Sequence, residues 1–215
     1  MDAMDEEDWH RLLTDLNQAC LASIPYIVAN PPPELGMQQF VDRHSNSPMA
    51  QVAIAATAGH ATWLGMPPAT QVQITSAEQR LGVTLPSTYT AFLRVSNGFL
   101  MPGQSTSSIL PVELIAYLGD DHADVARFYR ETLDSWPDEV DDYVQNRLEG
   151  TIQLSGPPNH RPEFVLLDPQ GKTPKGEMEV VKLAHEGAEH IDSFEQFMEL
   201  QLFSVNYGLR LYREP

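Results

Sequence analysis

The chain has 215 residues, 42% of them hydrophobic, which supplies a core and argues against disorder as the resting state. Thirty Asp and Glu face thirteen Lys and Arg, a formal net charge of −17, so phosphate backbones and anionic membrane surfaces are unfavourable partners. The single cysteine, Cys20, excludes an intrachain disulfide framework and any CxxC zinc site, and no apolar run reaches the length of a bilayer span.

The opening residues, MDAMDEEDWH, are acidic where a secretory signal is basic and then apolar, so the expected compartment is the reducing cytoplasm. Trp9, Leu12, Leu13, Leu16 and Cys20 fall at spacings of three and four, one apolar stripe on a helix from about Asp5 to Leu21. Asp5, Glu6, Glu7 and Asp8 occupy its first turn, where carboxylates favour the positive end of the dipole. Asn30-Pro31-Pro32-Pro33 then breaks the chain. Short helices are expected from Glu34 to Arg43 and from Met49 to Ala58, the second stopped by Gly59. Gly65-Met66-Pro67-Pro68 reads as a junction, giving a helical extension over 1–62 and a main domain over 63–215.

Thr75-Ser76-Ala77-Glu78 fits a capping box at the start of a helix that Gly82 ends. Leu85-Pro86 forces an extended lead into a second helix, Ser87 to Val95, with Tyr89, Phe92 and Leu93 on one face and Asn97-Gly98 as its left-handed stop. Ile109 to Leu118 reads as an edge strand plus a turn, because Pro111 lies inside it. Helical spacing returns over Asp121 to Leu133 and Glu139 to Leu148. Three apolar runs, Thr151 to Leu154, Phe164 to Leu167 and Met178 to Leu183, are separated by Gly156-Pro157-Pro158 and Asp168-Pro169-Gln170-Gly171, the pattern of a β-meander. A last helix opens at Ser193 and carries Phe194, Phe197, Met198 and Leu202. Helices in front, an antiparallel sheet behind and a closing helix make an α+β domain.

Ile74, Glu78, Leu81-Gly82, Leu85-Pro86, Tyr89, Phe92-Leu93 and Asn97-Gly98, in this order and spacing, resemble the signature of the SUKH superfamily (Smi/Knr-like). Val165-Leu166-Leu167-Asp168-Pro169 with Gly176-Glu177-Met178-Glu179-Val180, and Ser193-Phe194-Glu195-Gln196-Phe197, agree with it, as does Trp63-Leu64-Gly65 as a lead-in. The resemblance covers about residues 63 to 203. It implies a SUKH-like antiparallel β-sheet packed with helices, here preceded by the N-terminal helical extension. Met178 departs from the pattern, standing where many bacterial members carry tryptophan. The superfamily holds bacterial immunity proteins and fungal cell-wall synthesis regulators, so it implies a protein-binding role rather than a reaction.

No nucleophile elbow, phosphate-cradling loop, dinucleotide fingerprint or H-E-x-x-H is present, and no catalytic residue, metal or cofactor is expected. His185 and His190 lie in a glycine-containing segment rather than on one helix face, and Asp120 to Asp124 reads as a solvated helix start. Cys20 on an apolar stripe reads as a small buried hydrophobe. Trp9, Trp63 and Trp136, each beside apolar neighbours, read as core anchors.

The feature above background is the stretch 120–142, with nine acids against Arg127 and Arg130, a net charge of −7. Aromatic residues interleave these charges, a composition suited to a protein contact in which rings anchor and charges steer. The partner-binding residues expected there are Asp120, Asp121, Asp124, Phe128, Tyr129, Trp136, Asp138, Glu139, Asp141 and Asp142. The leading expectation is an immunity protein that neutralises a cognate bacterial toxin, a nuclease or other basic effector domain, by direct binding. The alternative is a non-enzymatic scaffold like the fungal regulators. A third reading, hydrolysis by paired carboxylates, needs two carboxyl groups held across one cleft with separated pKa values, and a deep pocket lined by Asp or Glu and an aromatic would favour it.

Overall fold

The computed structural model describes residues 4–29, 48–102, 108–134, 142–155, 163–173, 176–184 and 187–213. Helices α1 (Glu6–Ala29), α2 (Pro48–Thr57), α3 (Gln71–Leu81) and α4 (Ser87–Val95) lead into a short hairpin, β1 (Phe99–Leu100) and β2 (Ser108–Ile109). Strand β3 (Ala116–Tyr117) then runs into α5 (Leu118–Asp121), α6 (Ala123–Asp134) and α7 (Asp142–Asn146). Strands β4 (Ile152–Gln153), β5 (Phe164–Lys172), β6 (Met178–Ala184) and β7 (Gly187–Ile191) follow, and α8 (Phe194–Arg213) closes the fold. The five strands β3 to β7 pair in sequence order, antiparallel throughout. The fold is α+β, as expected. The helix expected from Glu34 to Arg43 lies outside the described residues.

The pleat decides what each sheet face carries. Val165 and Leu167 of β5, Val180 of β6 and Ile191 of β7 turn toward α1, α3, α4 and α8. Phe164 and Leu166 of β5, with Val181 and Leu183 of β6, turn toward α5, α6 and α7. Helices therefore cover both faces of the sheet. Two separate apolar cores result.

The first core takes in the N-terminal helix. Trp9 is fully buried, its ring 5.5 Å from that of Phe92 and 5.8 Å from that of Phe194. Tyr89 and Phe194 complete the cluster at 4.8 Å, edge to face. Leu13, Leu16 and Cys20 continue the buried stripe. Helices α1 and α8 run parallel: the Met4 backbone N–H donates to Glu195 Oε2 at 3.3 Å at one end, and Tyr26 stacks on Tyr212 at 5.4 Å at the other.

Four local expectations are corrected. Helix α1 continues past Leu21 and through Pro25 to Ala29, because buried Ile27 and the Tyr26–Tyr212 stack hold its last turns against the core. The capping box of α3 lies at Thr70 and Gln73, not at Thr75 and Glu78, and Glu78 instead accepts from the Leu85 backbone N–H at 3.0 Å. Helix α4 spans the expected residues but ends on Ser96 in extended geometry. Gly98 supplies the positive φ of 103°, where a Cβ would lie 2.8 Å from the Ile109 carbonyl oxygen, and Asn97 works through its side chain, accepting from the Val112 N–H at 2.8 Å. Asp168 to Gly171 is not a turn: β5 carries on to Lys172 across a register shift, which makes room for the irregular backbone within one strand.

Candidate functional site: an acidic helical face and two polar clusters

The acidic stretch forms the layer over the second core. The Leu118 N–H donates to the Thr151 carbonyl at 2.9 Å, pinning the start of α5 to the sheet, and the His122 N–H closes α5 on the Leu118 carbonyl at 2.8 Å. In α6 the helical period sets Ala126 and Tyr129 inward, into the core with Leu118, Tyr143, Val144 and Leu148. It sets Asp124, Arg127, Phe128 and Glu131 outward, joining exposed Asp120 and Asp121 of α5. Phe128 keeps 47% of its surface in solvent and meets Tyr129 edge-on at 5.7 Å. Arg130 is taken by Glu149 at 2.8 Å, which neutralises one of the two arginines of this layer.

The expected contact residues divide accordingly. Asp120, Asp121, Asp124 and Phe128 are each exposed, and Asp124 and Phe128, four residues apart on α6, share one helix face. Tyr129 is corrected: at 3% exposure its ring packs in the core, because one residue step on a helix turns a side chain through about 100°. Asp142 opens α7. Trp136, Asp138, Glu139 and Asp141 lie outside the described residues.

Two polar arrangements escaped the sequence reading. Just past α7, Arg147 reaches buried Asp168 of the central strand β5 at 2.7 Å and lies 5.2 Å over the Tyr143 ring. His190 Nδ1 stands 3.0 Å from Glu179 Oε2. A Cβ on Gly171 would come within 2.9 Å of both the Asp168 and the Glu179 carboxylate, so glycine lets the two acids approach around the bulge. The cross-strand register of Asp168 with Glu179 was the missing signal, and spacing along the chain does not carry it.

The second arrangement is a cleft of about 530 Å³ between α3, the start of α4 and the β5–β6 hairpin. Glu78, Ser87, Arg94, Lys172, Glu177 and Met178 are among its walls. Glu177, 9% exposed, accepts from Ser87 Oγ and Thr88 Oγ1, each at 2.7 Å, and so holds the first two hydroxyls of α4 beside the positive helix end. Glu78 is engaged by the Leu85 amide. Both carboxylates serve as structural acceptors, and no aromatic ring is among the described walls.

Cys20 is buried, and burial pushes its thiol up to about 12, the behaviour of an inert core residue. Among the described residues no group of His, Cys, Asp and Glu is arranged to hold a metal ion. No helix among them is long and apolar enough to cross a membrane.

No curated protein matches the chain in sequence. The family model described as SMI1 / KNR4 family (SUKH-1) matches residues 68–200, from just before α3 into α8. That span holds α3, α4, the whole five-stranded sheet and both polar arrangements, and it covers more than half of the sequence. The chain belongs to the SMI1 / KNR4 family (SUKH-1).

Proposed function

We propose that this chain is an intracellular immunity protein that neutralises a basic toxin domain by occupying it, with no bond made or broken. Family membership supports a protein-binding role, and the acidic face supports its placement. The carrying observation is that Asp120, Asp121 and Asp124 are exposed, with half-exposed Phe128 one turn after Asp124, on a layer anchored to the sheet. A ring in the middle of a negative field is the composition of a steered contact: charges raise association from roughly 10⁵–10⁶ to as much as 10⁸–10⁹ M⁻¹s⁻¹, and the ring supplies buried area after docking. A nuclease suits the partner's part, since its phosphate-binding cleft is basic.

Co-expression with the product of the neighbouring gene tests the reading. Rescue of growth together with co-purification of a stable complex is the expected result. Failure of both, with the chain instead retained by several unrelated partners, would favour a scaffold.

A further inference from the structure

Helix α8 has two apolar faces, and among the described residues only one of them packs into a core. Phe194, Phe197, Met198, Val205 and Leu209 are buried in the first core. On the opposite side Leu200, Phe203, Tyr207 and Leu211 recur at spacings of three, four and four, exposed by 41, 69, 55 and 55%. Phe203 and Tyr207 already stack on each other, ring centroids 6.4 Å apart and 12° from parallel. Scattered single apolar residues need no explanation, but a continuous stripe over three turns does.

The charges beside the stripe identify what fits it. Glu199 and Arg210 are eleven residues apart, about three turns, so both lie on one edge of the stripe at its two ends. Both are exposed, and neither has an ion-pair partner among the described residues. A second α8 related by a two-fold axis crossing the stripe near residues 204 and 205 runs antiparallel and keeps that edge on the same side. Glu199 of each copy then meets Arg210 of the other, twice by symmetry, and the Phe203 ring of each copy lies against the Tyr207 ring of the other.

The wider field agrees. The chain carries −17, so most of its surface repels a second copy, yet α8 balances Glu195 and Glu199 against Arg210 and Arg213. Its basic end would approach the opposite end of the partner's α1–α8 pair, where Glu6, Glu7 and Asp8 stand in the first turn of α1.

We propose that the outer stripe of α8, centred on Phe203 and Tyr207, is the interface of an antiparallel, two-fold homodimer. The stripe and the acidic face of α5 and α6 lie on opposite sides of the sheet, so the dimer holds both acidic faces outward and can engage two partner molecules at once. The dimer does not depend on the identity of that partner.

Sedimentation equilibrium of the full chain, from low micromolar to near-millimolar concentration and without any partner, tests it. The expected mass rises with concentration toward twice the 24.0 kDa of one chain. Phe203→Asp with Tyr207→Asp, both at solvent-exposed positions, should leave the unfolding midpoint nearly unchanged and abolish the rise. Glu199→Arg and Arg210→Glu should each weaken the dimer by about tenfold, and combining them should restore it, because the swapped charges again meet across the two-fold axis. A chain that stays monomeric throughout would overturn the proposal. So would a dimer indifferent to Phe203 and Tyr207, or single charge reversals that the double variant fails to repair.

Discussion

The side-chain amide of Asn17 on α1 accepts from the Leu64 backbone N–H at 2.9 Å and donates to the Thr62 carbonyl at 3.1 Å. With 6% exposure, Asn17 closes a two-bond clamp between the first helix and the strand-like lead into the family domain. The N-terminal helix is thus bonded to the domain as well as packed into its core.

Asn17→Ala leaves the buried Leu64 amide without its acceptor. The expected loss is about 1–3 kcal/mol, the desolvation penalty of an unpaired buried donor. Urea unfolding followed by circular dichroism should show a lower midpoint with an unchanged slope. An unaltered midpoint would mean that the clamp contributes nothing.

Glu177 joins the β5–β6 hairpin to the start of α4 through Ser87 and Thr88. Glu177→Ala strands the buried Thr88 hydroxyl and removes a carboxylate from the positive helix end. A destabilisation of about 2–3 kcal/mol is expected in the same measurement, with Glu177→Gln intermediate because its amide oxygen still accepts.

Burial raises Cys20 from 9.0 to about 12, so between these values the folded chain keeps a proton that the unfolded chain releases. Its contribution to stability is whole below pH 9.0 and drains as pH rises, by up to about 1.4 kcal/mol per pH unit. Tyr89, raised by burial and then by the nearby Glu113 charge, adds a loss of the same sign at higher pH. Cys20→Ala should flatten the stability profile between pH 9 and pH 10, relative to the parent chain. At neutral pH the thiol should resist a thiol-titrating disulfide reagent until urea unfolds the protein, and rapid labelling of the native chain would contradict this.

Local chemistry was legible where it was strong. Helix α4 begins and ends at the expected residues because Pro86 fixes its start and Tyr89, Phe92 and Leu93 share one face. The stripe from Trp9 to Cys20 likewise reads directly as core. Choices made by tertiary contact were not legible. Thr70 with Gln73 and Thr75 with Glu78 both fit a cap, and the fold uses the first. Strand β7, Gly187–Ile191, went unseen because an edge strand of small and polar residues has no apolar run. In the candidate site, the exposure of Asp120, Asp121 and Asp124 follows from charge alone. Neighbouring Phe128 and Tyr129 could be separated only by the phase of the helix, which one core contact fixes. The outer stripe of α8 extends beyond Leu202, where the sequence reading of that helix stopped.

The role of the acidic face is tested most directly by stopped-flow association, at low and high salt, with the neighbouring gene product that the chain protects against. The parent chain is compared with one carrying Asp120→Lys, Asp121→Lys and Asp124→Lys. All three sites are exposed, so the variant should fold normally. The low-salt association rate of the variant is expected to fall by about tenfold or more, and its decline with added salt to disappear. An unchanged rate with an unchanged salt dependence would contradict it.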